Sequence, residues 1–128
     1  MKKEIPSLPD AEFEVMDAVW DCDTEFAPTT DILTQMKTEK KAQTVLTMLT
    51  RLSDKGFVSS QKNGKERLWK AEISKSEYRS CEAKRIVEKI YGGSFYTLIN
   101  AFWDGTKLSN EEANELSAWL EREQNKNR

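Results

Sequence analysis

The chain has 128 residues, of which 38% are hydrophobic and 33% are charged, so we expect one small domain, or one small domain with an extension. Histidine is absent, which excludes His-dependent catalysis and His metal sites, and no apolar run approaches the roughly 20 residues of a membrane span. Cys22 and Cys81 lack metal-ligand spacing, so we interpret them as free thiols of a reducing cytoplasm. The composition therefore predicts a cytoplasmic protein without signal peptide, membrane insertion, metal or cofactor.

Charge is segregated along the chain, which the net charge of −2 conceals. Residues 1–36 have a net charge of −7, residues 37–70 of +6, and residues 71–128 of −1. A polyanion responds to a local basic patch and not to the average over the chain. The basic segment, residues 37–70, is thus the candidate nucleic-acid surface.

The spacing of apolar residues predicts three helices in the first part of the chain. Residues 1–7 are expected to form a loose tail, helix 1 to span residues 10–21, and helix 2 to begin at Pro28. Helix 3 follows Lys41 and ends at Gly56, which we interpret as a C′ residue in the left-handed region. Its apolar face recurs at i, i+3, i+4 and i+7, with Val45, Met48, Leu49 and Leu52.

The outer face of helix 3 is short-chained and hydrogen-bonding. It contains Gln43, Thr44, Leu46, Thr47, Thr50 and Arg51. A solvated helix normally carries Glu and Lys on such a face, because these are the better exposed helix formers. The pattern therefore indicates contact with a partner.

A basic hairpin is predicted after helix 3, because Asn63-Gly64 is typical of a two-residue type I′ turn. This turn would place three pairs opposite each other: Lys62 and Lys65, Ser60 and Arg67, and Val58 and Trp69. Like charges directly opposed cost stability. A phosphate bound by Lys62, Lys65 and Arg67 would offset that cost.

Three helices followed by a basic two-stranded wing is the order of a winged helix-turn-helix domain. We therefore predict a mainly α (α+β) fold with a winged-helix DNA-binding domain over residues 1–73. The alternative is a small α+β module whose basic hairpin is merely solvated.

The second half, residues 74–128, is predicted to be a helical dimerisation domain. Capping boxes at Ser74–Glu77 and Ser109–Glu112 begin the first and last of three helices, and residues 121–128 are expected to form a frayed tail. The large apolar residues expected at the dimer interface are Tyr91, Phe95, Leu98, Ile99, Phe102, Trp103, Leu116 and Trp119. A two-fold dimer suits a two-fold operator. The alternative is packing of these helices against the winged domain.

Four stretches match the motifs of one repressor family in register. They are Leu8-Pro-Asp-Ala-Glu12-Phe-Glu14-Val-Met16 with Trp20, Thr44-Val-x-Thr47-Met-Leu-Thr50-Arg51-Leu52-x-x-Lys55-Gly56-Phe57, Lys89-Ile-Tyr91-Gly-Gly93-Ser-Phe95-x-x-Leu98, and Leu108-Ser109-x-Glu-Glu-x-x-Glu115-Leu116. On these motifs the chain resembles the penicillinase repressors, the BlaI/MecI family, over essentially its whole length. The resemblance implies a homodimeric winged-helix repressor of transcription, and antibiotic resistance as the regulated trait.

The resemblance also implies a means of release, with two departures. In the family, a membrane-bound sensor protease system causes an Asn-Phe bond in the middle dimerisation helix to be cut. In register that bond is Ala101-Phe102 here, with the asparagine one place earlier at Asn100, so this pair is the candidate cleavage position. Copper-responsive relatives carry a Cys-x-Cys pair near the C-terminus, whereas no cysteine follows Cys81 here.

The DNA-binding hypothesis places helix 3 in the major groove. Gln43 would read adenine, Leu46 would contact a thymine methyl group, and Thr44, Thr47 and Arg51 would contact phosphates. The complete candidate set is Lys41, Gln43, Thr44, Leu46, Thr47, Thr50, Arg51, Lys62, Lys65 and Arg67. A winged-helix adaptor that binds protein instead of DNA is the main alternative, and an enzyme is the weakest.

Overall fold

The helices and strands follow the predicted winged-helix order. A computed structural model describes residues 4–105 and 107–126, without the side chains of residues 104 and 105. The elements are α1 Asp10–Asp21, β1 Ala27–Pro28, α2 Thr29–Gln35, α3 Ala42–Asp54, β2 Val58–Asn63, β3 Glu66–Ala71, α4 Lys75–Ile90, α5 Phe95–Gly105 and α6 Asn110–Lys126. The predicted fold class, mainly α with a β wing, is confirmed.

Two compact units make up the chain, the first ending at Ala83 and the second beginning at Lys84. The domain boundary predicted from the sequence, between residues 73 and 74, lies at the start of α4. The N-terminal half of α4 thus belongs to the first unit. Tyr78, in this half, is buried against the aromatic rings of Phe13, Trp20 and Phe57.

The first unit has its core between α1, α2, α3 and the sheet. The predicted apolar face of α3 is confirmed, since Val45, Leu49 and Leu52 are fully buried and Met48 is partly buried against them. Met16 of α1 and Ile32 of α2 complete the centre of this core. Burial on one side of α3 leaves its polar side exposed.

The end of α3 is a Schellman motif, which confirms the prediction for Gly56. Its φ of 84° lies in the left-handed region, where a side chain would be strained. The Gly56 N–H donates to the carbonyl of Ser53 and the Phe57 N–H to that of Leu52. The chain therefore turns sharply from α3 into β2.

The predicted register of the hairpin is wrong. Gly64, with φ of 67°, and Lys65, without positive φ, occupy the two central turn positions, which is the pattern of a type II′ turn. Asn63 remains in β2 opposite Glu66, because Gly64 alone supplies the left-handed conformation that this turn requires. The observed pairs are therefore Lys62 with Arg67, Ser60 with Trp69, and Val58 with Ala71.

Two features of the first unit differ from expectation. The segment predicted as a loose tail contributes Ile5 to the core, and the adjacent Leu8 donates its N–H to Tyr78 Oη at 2.9 Å. Residues 1–3 lie outside the described residues. The short strand β1 was not predicted; it pairs with β3 through Ala27 and Pro28 and makes a three-stranded sheet.

Both predicted capping boxes are confirmed by reciprocal bonds, between Ser74 and Glu77 before α4 in the first unit and between Ser109 and Glu112 before α6 in the second unit. The frayed tail predicted from residue 121 onward is wrong, because α6 continues to Lys126. Residues 127–128 lie outside the described residues.

Candidate DNA-binding surface

The outer face of α3 carries an exposed row of hydrogen-bonding side chains. Gln43, Thr44, Thr47, Thr50 and Arg51 are all exposed, as the sequence predicted. The hydroxyls of Thr47 and Thr50 donate to the carbonyls four residues earlier, at 3.0 and 2.9 Å. Each hydroxyl oxygen then presents lone pairs outward, so in this conformation these two threonines accept hydrogen bonds from a partner.

Leu46 lies at the edge of this face. It is half-buried and packs against the core, yet it also lines two open grooves between the helices and the wing. Its base is therefore held by the core, and its remaining surface faces the space between α3 and the hairpin.

The basic segment divides into two sets of side chains. Four of its nine lysines and arginines pair with carboxylates of the preceding acidic region: Lys37 with Asp17 at 3.7 Å, Lys40 with Glu14 at 3.8 Å, Lys55 with Glu12, and Lys70 with Glu25 at 3.1 Å. Among the residues that the structure describes, the other five have no ion-pair partner. These unpaired cations are Lys41, Arg51, Lys62, Lys65 and Arg67.

The unpaired cations are therefore those that the sequence assigned to DNA. Lys41 lies at the N-cap of α3, where no side chain caps the helix. Arg51 is exposed near the other end of α3, and Lys62, Lys65 and Arg67 are exposed on the hairpin. The acidic N-terminal region neutralises the remaining basic side chains, which leaves the positive charge on α3 and the wing.

A groove of about 340 Å³ separates the C-terminal half of α3 from the wing. Its lining combines polar and apolar side chains from both elements: Leu46, Thr50, Ser53, Ser60, Arg67 and Trp69. Arg67 donates to the Ser60 hydroxyl across the hairpin at 2.8 Å. This bond holds the guanidinium over the groove, where it leaves further N–H donors for an anion.

A second groove, of about 350 Å³, adds residues that the sequence reasoning missed. Thr29 and Thr30, at the start of α2, face the wing there beside Lys65 and Glu66. Thr29 also accepts a 3.0 Å hydrogen bond from the Trp69 indole. The Pro28-Thr-Thr-Asp sequence predicted only the start of a helix. The threonines lie beside the wing because β1 pairs with β3, a long-range contact that was not predicted.

The two cysteines are free thiols, as expected. Burial, aided by the nearby carboxylates of Asp31, Asp21 and Asp23, raises the pKa of the Cys22 thiol. A raised pKa keeps this thiol protonated near neutral pH and makes it a weak nucleophile. No helix within the described residues is both long and apolar enough to cross a bilayer.

Comparison with known proteins identifies the family of this chain. The penicillinase repressor of Bacillus licheniformis is 31% identical over 126 residues, which are 97% of either chain. The methicillin resistance regulatory protein MecI of Staphylococcus aureus (strain N315) is 28% identical over 118 residues, covering 91% of this chain and 94% of MecI.

A solution structure of the monomeric form of B. licheniformis BlaI in complex with the blaP half-operator is also similar. It is 30% identical, covers 60% of this chain and 94% of the solved chain, and superimposes with a TM-score of 0.48. The family model for the penicillinase repressor matches residues 8–122. With nearly the whole chain matched, the protein belongs to the penicillinase repressor family of DNA-binding transcriptional repressors.

Proposed function

We propose that this repressor acts in the cytoplasm as a homodimer on a two-fold DNA operator, with α3 of each subunit in the major groove and the wing against the backbone. One observation carries the proposal. The acidic region pairs with four basic side chains of the basic segment, whereas the five that it leaves unpaired border α3 and the wing. Exposed cations without partners are the electrostatic footprint of a phosphate-binding surface.

Base recognition is assigned to the middle of the exposed face of α3. The Gln43 amide can donate to adenine N7 and accept from N6, and the exposed part of Leu46 can contact a thymine methyl group. Thr44 borders these residues and contacts a phosphate that sets the register. Thr47 and Thr50 donate to a phosphate only when their hydroxyls leave the carbonyls of Gln43 and Leu46. Its base held by the core and its remaining surface open to the groove support a role of Leu46 in sequence preference.

The unpaired cations are assigned to the phosphate backbone. If each of the five neutralises one phosphate, the log–log dependence of affinity on salt should have a slope of about −4.5 per subunit. Lys41 at the uncapped N-terminus of α3 and Arg51 near its other end would then contact the backbone on either side of the major groove.

Dimerisation is assigned to the second unit. Among the described residues, nine large apolar side chains are exposed there, and five of the eight predicted interface residues are in α5. Those at 36% exposure or more include Phe95, Ile99, Phe102, Trp103 and Trp119. Apolar side chains at this density on a single chain favour burial against a second copy.

Footprinting and gel shifts on the chain's own upstream region test the proposal. The repressor should bind random DNA weakly at low salt and a two-fold site within that region far more tightly. Binding that does not respond to salt, or no binding to the upstream region, would contradict it. A protein-binding adaptor, the alternative function, should bind neither DNA at low salt.

Release from DNA is assigned to α5. The Ala101-Phe102 pair and the preceding Asn100 are exposed within this helix in a single chain, so a protease would reach them once the dimer interface opens and the helix unwinds locally. We place the cut at this bond, under control of a membrane sensor protease system. Mass spectrometry of the repressor after induction should then give fragments ending at Ala101 and beginning at Phe102.

A further inference from the structure

Glu12 is a charged residue in an apolar core. Its side chain is only 6% exposed, and within the described residues it is the single buried charged side chain. It lies in α1 and forms an ion pair with the ammonium group of Lys55. The carboxylates of the other three pairs of the basic segment are more exposed, at 17%, 40% and 69%.

Lys55 lies at the junction between the two elements proposed to bind DNA. It is the C-cap residue of α3, and Gly56 and the fully buried Phe57 follow it before β2 begins at Val58. The Phe57 carbonyl accepts the N–H of Glu72 at 2.8 Å, which ties the start of the wing to the end of its second strand. Lys55 therefore lies where α3 ends and the wing starts.

Stability alone does not explain a buried carboxylate at this junction. The cost of removing Glu12 from water, and part of Lys55, whose side chain is 33% exposed, offsets much of their attraction, and apolar residues of similar volume are often as stable. A hydrogen-bonded pair differs from an apolar contact in fixing distance and direction. An apolar contact allows one surface to slide over another.

We propose that Glu12 is a positioning residue for operator recognition, acting through Lys55. The pair holds the end of α3 on α1 so that base contacts from α3 and phosphate contacts from the wing are made at the same time. This role rests on the proposed function. It concerns the ratio of operator to random-DNA affinity, because random DNA requires only the phosphate contacts.

The test compares two double substitutions in the full-length protein. Glu12→Met with Lys55→Met replaces the buried carboxylate and its partner by apolar side chains of similar length. Glu14→Met with Lys40→Met does the same to a more exposed pair, which joins α1 to the connection before α3 and in which Glu14 is 40% exposed. Both variants keep the net charge and all five unpaired cations, so their salt slopes should match that of the wild type.

The first variant should lose about tenfold in the ratio of operator to random-DNA affinity, comparable to one mismatched base pair. Its affinity for random DNA should be unchanged, and the exposed-pair control should keep both values. The single variant Glu12→Gln retains a hydrogen-bond acceptor and should lose less of the ratio. It also provides the comparison if the first variant fails to fold.

Two outcomes would overturn the inference and separate it from the proposed function. If the wild type prefers its operator and the Glu12→Met, Lys55→Met variant keeps that preference, only the positioning role falls. If the double variant does not fold, a Glu12→Gln variant that keeps the wild-type ratio of operator to random-DNA affinity overturns the positioning role as well. If the wild type itself shows no preference for its upstream region, the proposed function falls and the positioning role falls with it.

Discussion

At the scale of single residues, the partners of each basic side chain distinguish the two sets in the basic segment. Lys62 and Lys70 both lie on the hairpin, but Lys70 pairs with Glu25, whose carboxylate raises the pKa of Lys70. Lys62 instead faces Arg67 across the strands. The sequence indicated an excess of positive charge, but the carboxylates that neutralise part of it come from a different region of the chain.

Lys62→Gln should weaken binding to every DNA sequence to a similar degree and reduce the salt slope by about 0.9, because one phosphate contact is lost. Fluorescence anisotropy over a salt series measures both effects. Lys70→Gln is the matched control on the same hairpin and should leave the slope unchanged. An equal loss of DNA affinity and of salt slope in the two variants would contradict the assignment of phosphate contacts to the unpaired cations.

Leu46→Lys should change which operator is preferred and leave overall binding intact. Its half-buried stem can stay on the core while the ammonium group reaches the groove. Discrimination at one base-pair position should shift by about 1–3 kcal/mol. Selection from a randomised operator library measures the preference, with Thr44→Ser as a control; an unchanged preference would remove Leu46 from base recognition.

Asp17 should contribute a pH-dependent part of stability. The Lys75 ammonium, 2.9 Å from Asp17 Oδ1, holds the pKa of this carboxyl below its ordinary value of 3.8. The folded state thus favours the charged form, so the stabilisation is complete above about pH 5 and is lost as the pH falls through the folded pKa. In urea unfolding, Asp17→Asn should have a lower free energy of unfolding than the wild type at neutral pH, and the two values should converge in acid. Lys75→Met should reduce this pH dependence, and the part that remains comes from Lys37, which also pairs with Asp17.

At the scale of elements, local signals predicted most boundaries, and long-range pairing decided the rest. The capping boxes and Gly56 were recognisable because their hydrogen bonds join residues close in sequence. The hairpin register was not, because Asn63-Gly64 is compatible with more than one turn and the type II′ form places Asn63 within β2. The strand β1 is two residues long and exists only through its pairing with β3.

The first half of α4 should be required for folding of the winged domain. A fragment ending at Ala83 should unfold cooperatively, whereas one ending at residue 73 lacks Tyr78 and its contacts with Phe13, Trp20 and Phe57. Loss of a buried aromatic side chain costs about 3–5 kcal/mol, a large part of the stability of a small domain. Circular dichroism during thermal unfolding compares the stability of the two fragments. Equal stability would place the end of the winged domain before α4.

At the scale of the whole molecule, the two units differ in how well each buries its apolar side chains. The core of the first unit contains fully buried residues such as Met16 and Phe57, whereas the second unit exposes large side chains on all of its helices. The sequence predicted both the aromatic density and the interface residues. The proposed dimer follows from the exposure that a single chain leaves.

Phe95→Ser with Phe102→Ser should convert the dimer into a monomer, because two rings that are about half exposed in one chain would no longer be buried at the interface. Light scattering at micromolar concentration measures the mass, and operator binding should weaken far more than the fold of the first unit. Tyr96→Ser alters a more exposed ring outside the predicted interface and should remain dimeric. A wild-type protein that is already monomeric would contradict the dimer.

The sequence by itself determined the helices, their caps, the apolar face of α3 and the set of side chains proposed to contact DNA. These depend on periodicity and on neighbours within a few residues, which the order of residues contains directly. Only the tertiary structure decided the hairpin register, the burial of Ile5 and Glu12, and the pairing of four cations with the acidic region. Such contacts join residues far apart in the chain, so they depend on packing of the whole unit and not on local preference.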